Sequence, residues 1–173
     1  MKATVNGKLR RLKDCYIKAG TRTLEMKILP DISDQKQANY SDESGIGRSA
    51  PLKVFSHGDT RSISWSVHFF GESDEESQQN LFDLRFLESL VYPDSGTSTL
   101  MVPPPLVTIK CGSLLGDNPL CAVLKSYNVK FPVDVMWDET TFLPIKFDVE
   151  LSFEVVYATF NLPGTKRILQ TGG

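Results

Sequence analysis

Segment 144–160 constrains this chain more than any other. Ile145, Phe147, Val149, Leu151, Phe153, Val155 and Tyr157 alternate with Lys146, Asp148, Glu150, Ser152, Glu154, Val156 and Ala158. Successive side chains of a strand point to opposite faces, so this period of two predicts one long strand with an apolar face and a mainly charged face. It outruns the usual five or six residues. That length predicts a strongly twisted sheet, or a barrel in which the strand serves two layers.

Other segments follow the same rule. In 62–69, Ile63, Trp65, Val67 and Phe69 face one way and Ser62, Ser64, Ser66 and His68 the other. In 121–131, Val123, Tyr127, Val129 and Phe131 share a parity broken only at Lys125. Segments 106–111 and 23–29 are shorter strand candidates, and 12–18 is a weaker one. One helix is predicted, over about 74–91. Ser73-Asp74-Glu75-Glu76 has the capping-box form, with acidic groups at the positive end of the helix dipole. Leu81, Leu84, Leu87 and Val91 recur at helical spacing with Phe82, Phe86 and Leu90 alongside, a stripe wide enough to lie on a sheet. Pro93 stops it. Three stretches read as loops: 30–50, which lacks periodicity; 92–105, which ends in Pro103-Pro104-Pro105; and 112–119, a turn joining its flanking strands as a hairpin.

Strands interrupted by a single helix, without βαβ alternation, predict a mainly β (β-dominated α+β) domain. The expected architecture is an antiparallel β-barrel or sandwich, curled around one flanking amphipathic helix. It divides into an N-terminal arm (1–12), a β-barrel domain (13–160) and a C-terminal tail (161–173).

A chain of 173 residues, 40% hydrophobic, suffices for one core without disulfides or metal. A net charge of −2 argues against a protein whose main task is neutralising nucleic-acid phosphates or anionic lipid. No window approaches the roughly 18 consecutive apolar residues of a membrane helix, and 1–14 lacks the apolar core of a signal peptide. The odd set Cys15, Cys111 and Cys121 reads as reduced, mostly buried thiols, with a Cys111–Cys121 bridge as the lesser alternative.

Candidate chemistry is thin. His57, Asp59 and Ser62 suggest a hydrolytic triad, but no Gly-x-Ser-x-Gly elbow accompanies them, and His57-Gly58-Asp59 reads better as a turn between strands. His68, alone on a serine face, reads as a solvated or hydrogen-bonded surface histidine. The two histidines do not have metal-ligand spacing. Asp134, Asp138 and Glu139 around Trp137 read as a solvated acidic turn, and Gly45-Ile46-Gly47-Arg48 does not have the form of a phosphate cradle. Lys8, Arg10, Arg11 and Lys13 form a small basic run, a solvated arm or a contact for an acidic partner. Trp65 lies on an apolar parity and reads as core, whereas Trp137 is the better candidate for a sugar-stacking platform. These residues give no catalytic, cofactor or metal site, and the expected class is non-enzymatic.

The same segments carry a resemblance, spanning about 13–158. An opening strand Cys15-Tyr16-Ile17 and a loop bearing Tyr40 come first. Then follow Ser64-Trp65-Ser66-Val67-His68-Phe69-Phe70 before a capped helix, Pro104-Pro105-Leu106-Val107, and the strand 123–131 with its acidic turn. Leu143-Pro144-Ile145-Lys146-Phe147-Asp148-Val149 closes the series. In this order they resemble the tube-like baseplate proteins of contractile phage tails and related injection systems, whose longer members carry a LysM module. The resemblance implies a tube-like β-barrel and a hub, adaptor or tube-initiator role within a virion baseplate, assembled in the host cytoplasm. It implies as partners copies of the chain in a ring (hexameric in the family), the tail tube protein, and spike and wedge subunits. DNA would meet the ring only in transit, and no membrane insertion is implied. No LysM pattern follows residue 160, so peptidoglycan contact is not carried over. On this reading loop 30–50 orders on neighbouring chains, and the polar face of the long strand lines a lumen that repels DNA phosphate. The alternatives are another tail component, such as a tube terminator or connector, and a carbohydrate-binding β-domain.

Overall fold

The computed structural model describes residues 4–5, 8–9, 14–44, 46–47, 49–93, 102–138 and 142–157. In chain order the elements are β1 (Thr4–Val5), β2 (Lys8–Leu9), β3 (Cys15–Ala19), β4 (Arg22–Glu25), β5 (Asp31–Gln35), β6 (Ala38–Glu43), β7 (Leu52–Gly58), β8 (Ser62–Phe70), α1 (Asp74–Ser89), β9 (Val107–Cys111), β10 (Leu120–Lys130) and β11 (Lys146–Val155). Seven strands form one antiparallel sheet in the order β4-β3-β9-β10-β11-β8-β5, while β1–β2 and β6–β7 are separate two-stranded pairs. The fold is mainly β with a single helix among the described residues, as the alternation predicts.

The long strand sits between β10 and β8. Phe147, Val149, Leu151, Phe153 and Val155 are all buried. Their neighbours on β8 (Ile63, Trp65, Val67 and Phe69) are buried with them, and Trp65 meets Phe153 edge-on at 5.7 Å between ring centroids. Phe69 stacks on Phe147 at 4.9 Å. Such aromatic pairs add to the burial of their own surface.

The β10 alternation is not continuous. Ala122 and Leu124 are buried, Leu124 opposite Phe153, yet the next pair is Ser126 with Ser152. Lys125 is the extra residue of a β-bulge, which inserts one position and exchanges the faces. Val123 therefore lies on the opposite face from Tyr127 and Val129, contrary to the shared parity expected. Cys121 is exposed rather than buried.

Segment 30–50 is not a loop either. It holds β5, which pairs with β8, and β6, which pairs with β7. Its periodicity is silent because these strands bury almost nothing. Ile32 alone among the large apolar groups of β5 packs against the core.

Helix α1 starts at the predicted cap. The Ser73 hydroxyl accepts from the Glu76 amide at 3.3 Å, and the Glu76 carboxylate accepts from the Glu72 amide. Asn80, Asp83, Leu84, Phe86 and Leu87 are its buried positions, so the inner face is part polar, and Phe82 points outward. Asp83 meets Arg22 of β4 at 3.3 Å, and the Arg22 guanidinium lies 4.6 Å from the Phe86 ring centroid. Gly71, between β8 and α1, allows the close approach. A Cβ there would come within 2.5 Å of the Ser77 hydroxyl.

The sheet curls strongly. Leu24, Met26 and Lys27, at and beyond the end of β4, share a crevice with Val67 and Phe69 of β8 and with Asn80 and Asp83 of α1, although β4 and β8 are five strands apart. Among the described residues, edge strands β4 and β5 are not hydrogen-bonded to each other, so the barrel stays open. The arm, the tail and the end of segment 144–160 lie largely outside the described residues.

Candidate functional site

The register builds a polar surface row by row. Ser33, Ser64, Ser152 and Ser126 stand side by side on β5, β8, β11 and β10. The next row is Asp31, Ser66, Glu150 and Asn128, and beyond it His68, Asp148 and Lys130 adjoin. The acids on this face are held by bases. Glu150 pairs with Lys130, Glu154 meets Lys125 at 3.0 Å, and Asp148 lies 2.6 Å from His68 Nδ1. The Lys130 hydrogen bond, and then that of Asn128, lowers the pKa of Glu150. This surface is hydroxyl-rich and nearly balanced in charge, not an acidic field.

His68 is thus hydrogen-bonded, with Asp31 3.4 Å from its Nε2. Its pKa is raised, first by the Asp148 bond against the opposing effect of burial, and further by Asp31. On the core parity, Arg61 forks onto Asp34 with Nε–Oδ1 2.8 Å and Nη2–Oδ2 2.6 Å, and it also reaches the Leu115 carbonyl. The Arg61 hydrogen bond lowers the pKa of Asp34. This bidentate pair ties β5 to the start of β8 and closes the core at that end.

The two ends of the sheet carry separate apolar surfaces. Strand β5 ends at Gln35 beside Ser62, and β6–β7 springs from that end, with Asn39 opposite His57 and Glu43 opposite Leu52. Tyr40 and Phe55 meet edge-on at 5.7 Å on this pair and are both exposed, as are Leu52 and Ile46 of the same hairpin. The connection between Lys130 and Lys146 lies at the opposite end, beside Phe70. It exposes Phe131, Val133, Met136, Trp137 and Phe142, with Val133 98% exposed. Phe142 has φ 54°, a left-handed conformation that costs a non-glycine residue on the order of 1 kcal/mol. Single exposed apolar residues need no explanation, but contiguous patches mark contact surfaces.

Of the triad residues, His57 and Asp59 adjoin, with Nε2–Oδ1 3.5 Å, but Ser62 does not join them. The hydroxyl beside His57 belongs to Ser56, 3.0 Å from Nδ1, and no contact joins Ser62 to the group. Asn39 donates to Asp59 at 2.7 Å and lies 3.2 Å from His57 Nε2. His57 is in strand β7 rather than in a turn, and its side chain is 64% exposed. Asp138, Asp134 and Trp137 lie in the exposed connection, and Trp137 leans on Phe131 at 6.2 Å. Trp65 is buried in the core. Ile46 and Gly47 form the tip of β6–β7, while the side chains of Lys8, Arg10, Arg11 and Lys13, and residues Gly45, Arg48 and Glu139, are outside the described set. Among the described residues, no three His, Cys, Asp or Glu side chains gather into a metal-holding group, and no helix is long and apolar enough to cross a membrane.

No protein-family model matches the chain, and no curated protein sequence does. Solved structures are similar to it. The tail of an empty gene transfer agent particle, refined with C6 symmetry, is 13% identical, with 86% of this chain and 96% of that one covered and a TM-score of 0.44. The sheath–tube complex of an extracellular contractile injection system in its extended state is 14% identical, with 90% and 96% covered and a TM-score of 0.38. The virion of a native gene transfer agent particle is 12% identical, with 86% and 99% covered and a TM-score of 0.38.

Proposed function

We propose that this chain is a non-enzymatic structural subunit of a contractile phage tail or related injection system, a baseplate hub, adaptor or tube initiator that joins the central spike to the tail tube. The observation that carries this reading is the pair of apolar surfaces at opposite ends of an open, curled sheet. Two different patches, one at each end, suit head-to-tail contact with other subunits, and heterologous contacts build rings or tubes. The edges of β4 and β5, unpaired among the described residues, add strand-to-strand docking. The resemblance of the segments from Cys15 to Val149 supplies the identity of the partners: copies of the chain in a ring, hexameric by that resemblance, with the tube protein and the spike and wedge subunits around it. In such a ring the serine-rich face would line the lumen. Its paired charges would let DNA pass without adhering, rather than repel it as a line of bare acids would.

The test is assembly with and without the chain. Particles lacking it are expected to carry baseplates with no tail tube, and cryo-microscopy of complete particles is expected to show it as a ring between spike and tube. A normal tube on particles lacking the chain would end the proposal. Trp137, half-exposed on its loop, keeps a carbohydrate-binding reading testable. Glycan binding lost in Trp137→Ala, with tube assembly unaffected, would favour that reading instead.

A further inference from the structure

We propose that Cys15 and Cys111 are a redox-modification site, a cross-strand dithiol that a small-molecule disulfide converts into a buried disulfide joining β3 to β9. This inference stands apart from the assembly role. The two cysteines are direct partners in the register of β3 and β9. The Gly112 amide donates to the Asp14 carbonyl at 2.7 Å, one position outside the pair on each strand. That bond marks Cys15–Cys111 as a non-hydrogen-bonded pair, the kind whose side chains stand closest, with Cα atoms about 4.5 Å apart. A disulfide accepts Cα separations of about 4.4–6.8 Å, so the bridge forms without moving the strands. The two Sγ atoms already lie 2.8 Å apart as free, buried thiols. A hollow of about 370 Å³ beside them, lined by Asp14, Leu29, Ser113 and Leu114, gives a small reagent its approach.

The exchange proceeds in two displacements. One cysteine thiolate attacks a sulfur of oxidised glutathione, forming a mixed disulfide and releasing one glutathione thiolate. The second cysteine thiolate attacks the protein sulfur of that mixed disulfide and releases the other glutathione. Two thiol protons pass to the two glutathione thiolates, and the two electrons lost by the protein sulfurs reduce the reagent's S–S bond. Burial above all, and then the neighbouring Cys111 thiol, pushes the Cys15 thiol far up. Its thiolate is therefore scarce at neutral pH, and the site reacts slowly.

The full native chain is incubated with oxidised glutathione, digested without reduction and mapped by mass spectrometry. The expected product links the Cys15 and Cys111 peptides and carries one glutathione on exposed Cys121. The link spans 96 positions of sequence, so the melting temperature is expected to rise by about 10 °C. Cys111→Ala removes both the link and the rise. Should that variant fail to fold, Cys121→Ser keeps only the pair, and its intact mass is expected to fall by two hydrogens. Cys15 and Cys111 that stay free and alkylatable through an incubation extended far beyond full capping of Cys121 would overturn the proposal, as would a link that forms only in denaturant.

Discussion

Two ionic contacts decide the behaviour of single residues. Arg61 is buried and Asp34 is about one-third exposed, so the fork between them is only partly screened. Arg61→Ala leaves the Asp34 carboxylate without its fork, and the expected loss is about 2 kcal/mol, below the cost of breaking a fully buried pair. Urea unfolding measures it, and a loss under about 0.5 kcal/mol, typical of a surface pair, would show the fork to be ornamental. Arg61→Lys keeps the charge but not the planar fork, and is expected to recover less than half. The lowered pKa of Asp34 contributes stability above the unfolded carboxylate pKa near 3.9, and that contribution disappears as pH falls through the folded value. His68 has the opposite sign. Its pKa is raised, so its contribution is complete below the unfolded value of about 6.5 and is lost as pH climbs through the folded one. The stability gap between wild type and His68→Gln is therefore expected to shrink as pH rises from about 6 to about 8.5. A gap that stays constant across that range would refute the assignment.

At the scale of elements, β10 shows how one residue sets the faces of a strand. Lys125 is surplus to the ladder, between Leu124 opposite Phe153 and Ser126 opposite Ser152. Deleting Lys125 is expected to leave Ala122, Leu124, Tyr127 and Val129 on their present faces, costing the Glu154 ion pair and little else, about 1 kcal/mol or less. Deleting Asn128 instead turns either Tyr127 or Val129 to the polar face, whichever way the bulge adjusts. It is expected to cost about 2 kcal/mol or more. Equal unfolding midpoints for the two deletions would contradict the bulge. The helix was legible from its Ser73 cap, and β8 and β11 from their alternation. In β10 the bulge was visible only as a parity break, whose direction the sequence left open. Strands β5 and β6 gave no signal, because a strand that buries only one or two side chains has little reason to alternate.

For the whole molecule, the two exposed patches predict heterologous association. Charged or polar replacements in the hairpin (Tyr40→Ser with Phe55→Ser) and in the far connection (Val133→Ser with Met136→Ser) are each expected to abolish self-association. Sedimentation would show this, while the far-ultraviolet dichroism of the fold stays unchanged. If both variants sediment as the wild type does, the ends are not the contact surfaces. Neither patch could be recognised in the sequence. Tyr40 and Phe55 are fifteen positions apart and meet only because β6 and β7 pair, and Phe131 joins Trp137 only through the path of its connection. The Cys15–Cys111 pair was hidden for the same reason, since the spacing of cysteines along a chain says nothing about which strands adjoin.

By itself, the order of residues determined what is local: period-two burial along β8 and β11, a capped helix, and a mainly β chain with little catalytic material. Tertiary structure decided what depends on strand adjacency: the row of serines, the pairing of acids with lysines and His68, the fork of Arg61 on Asp34, and the thiol pair. The physical reason is that alternation reports only which side of a strand meets apolar surroundings. Which strand lies next to it, and in what register, is set by the packing of the whole sheet.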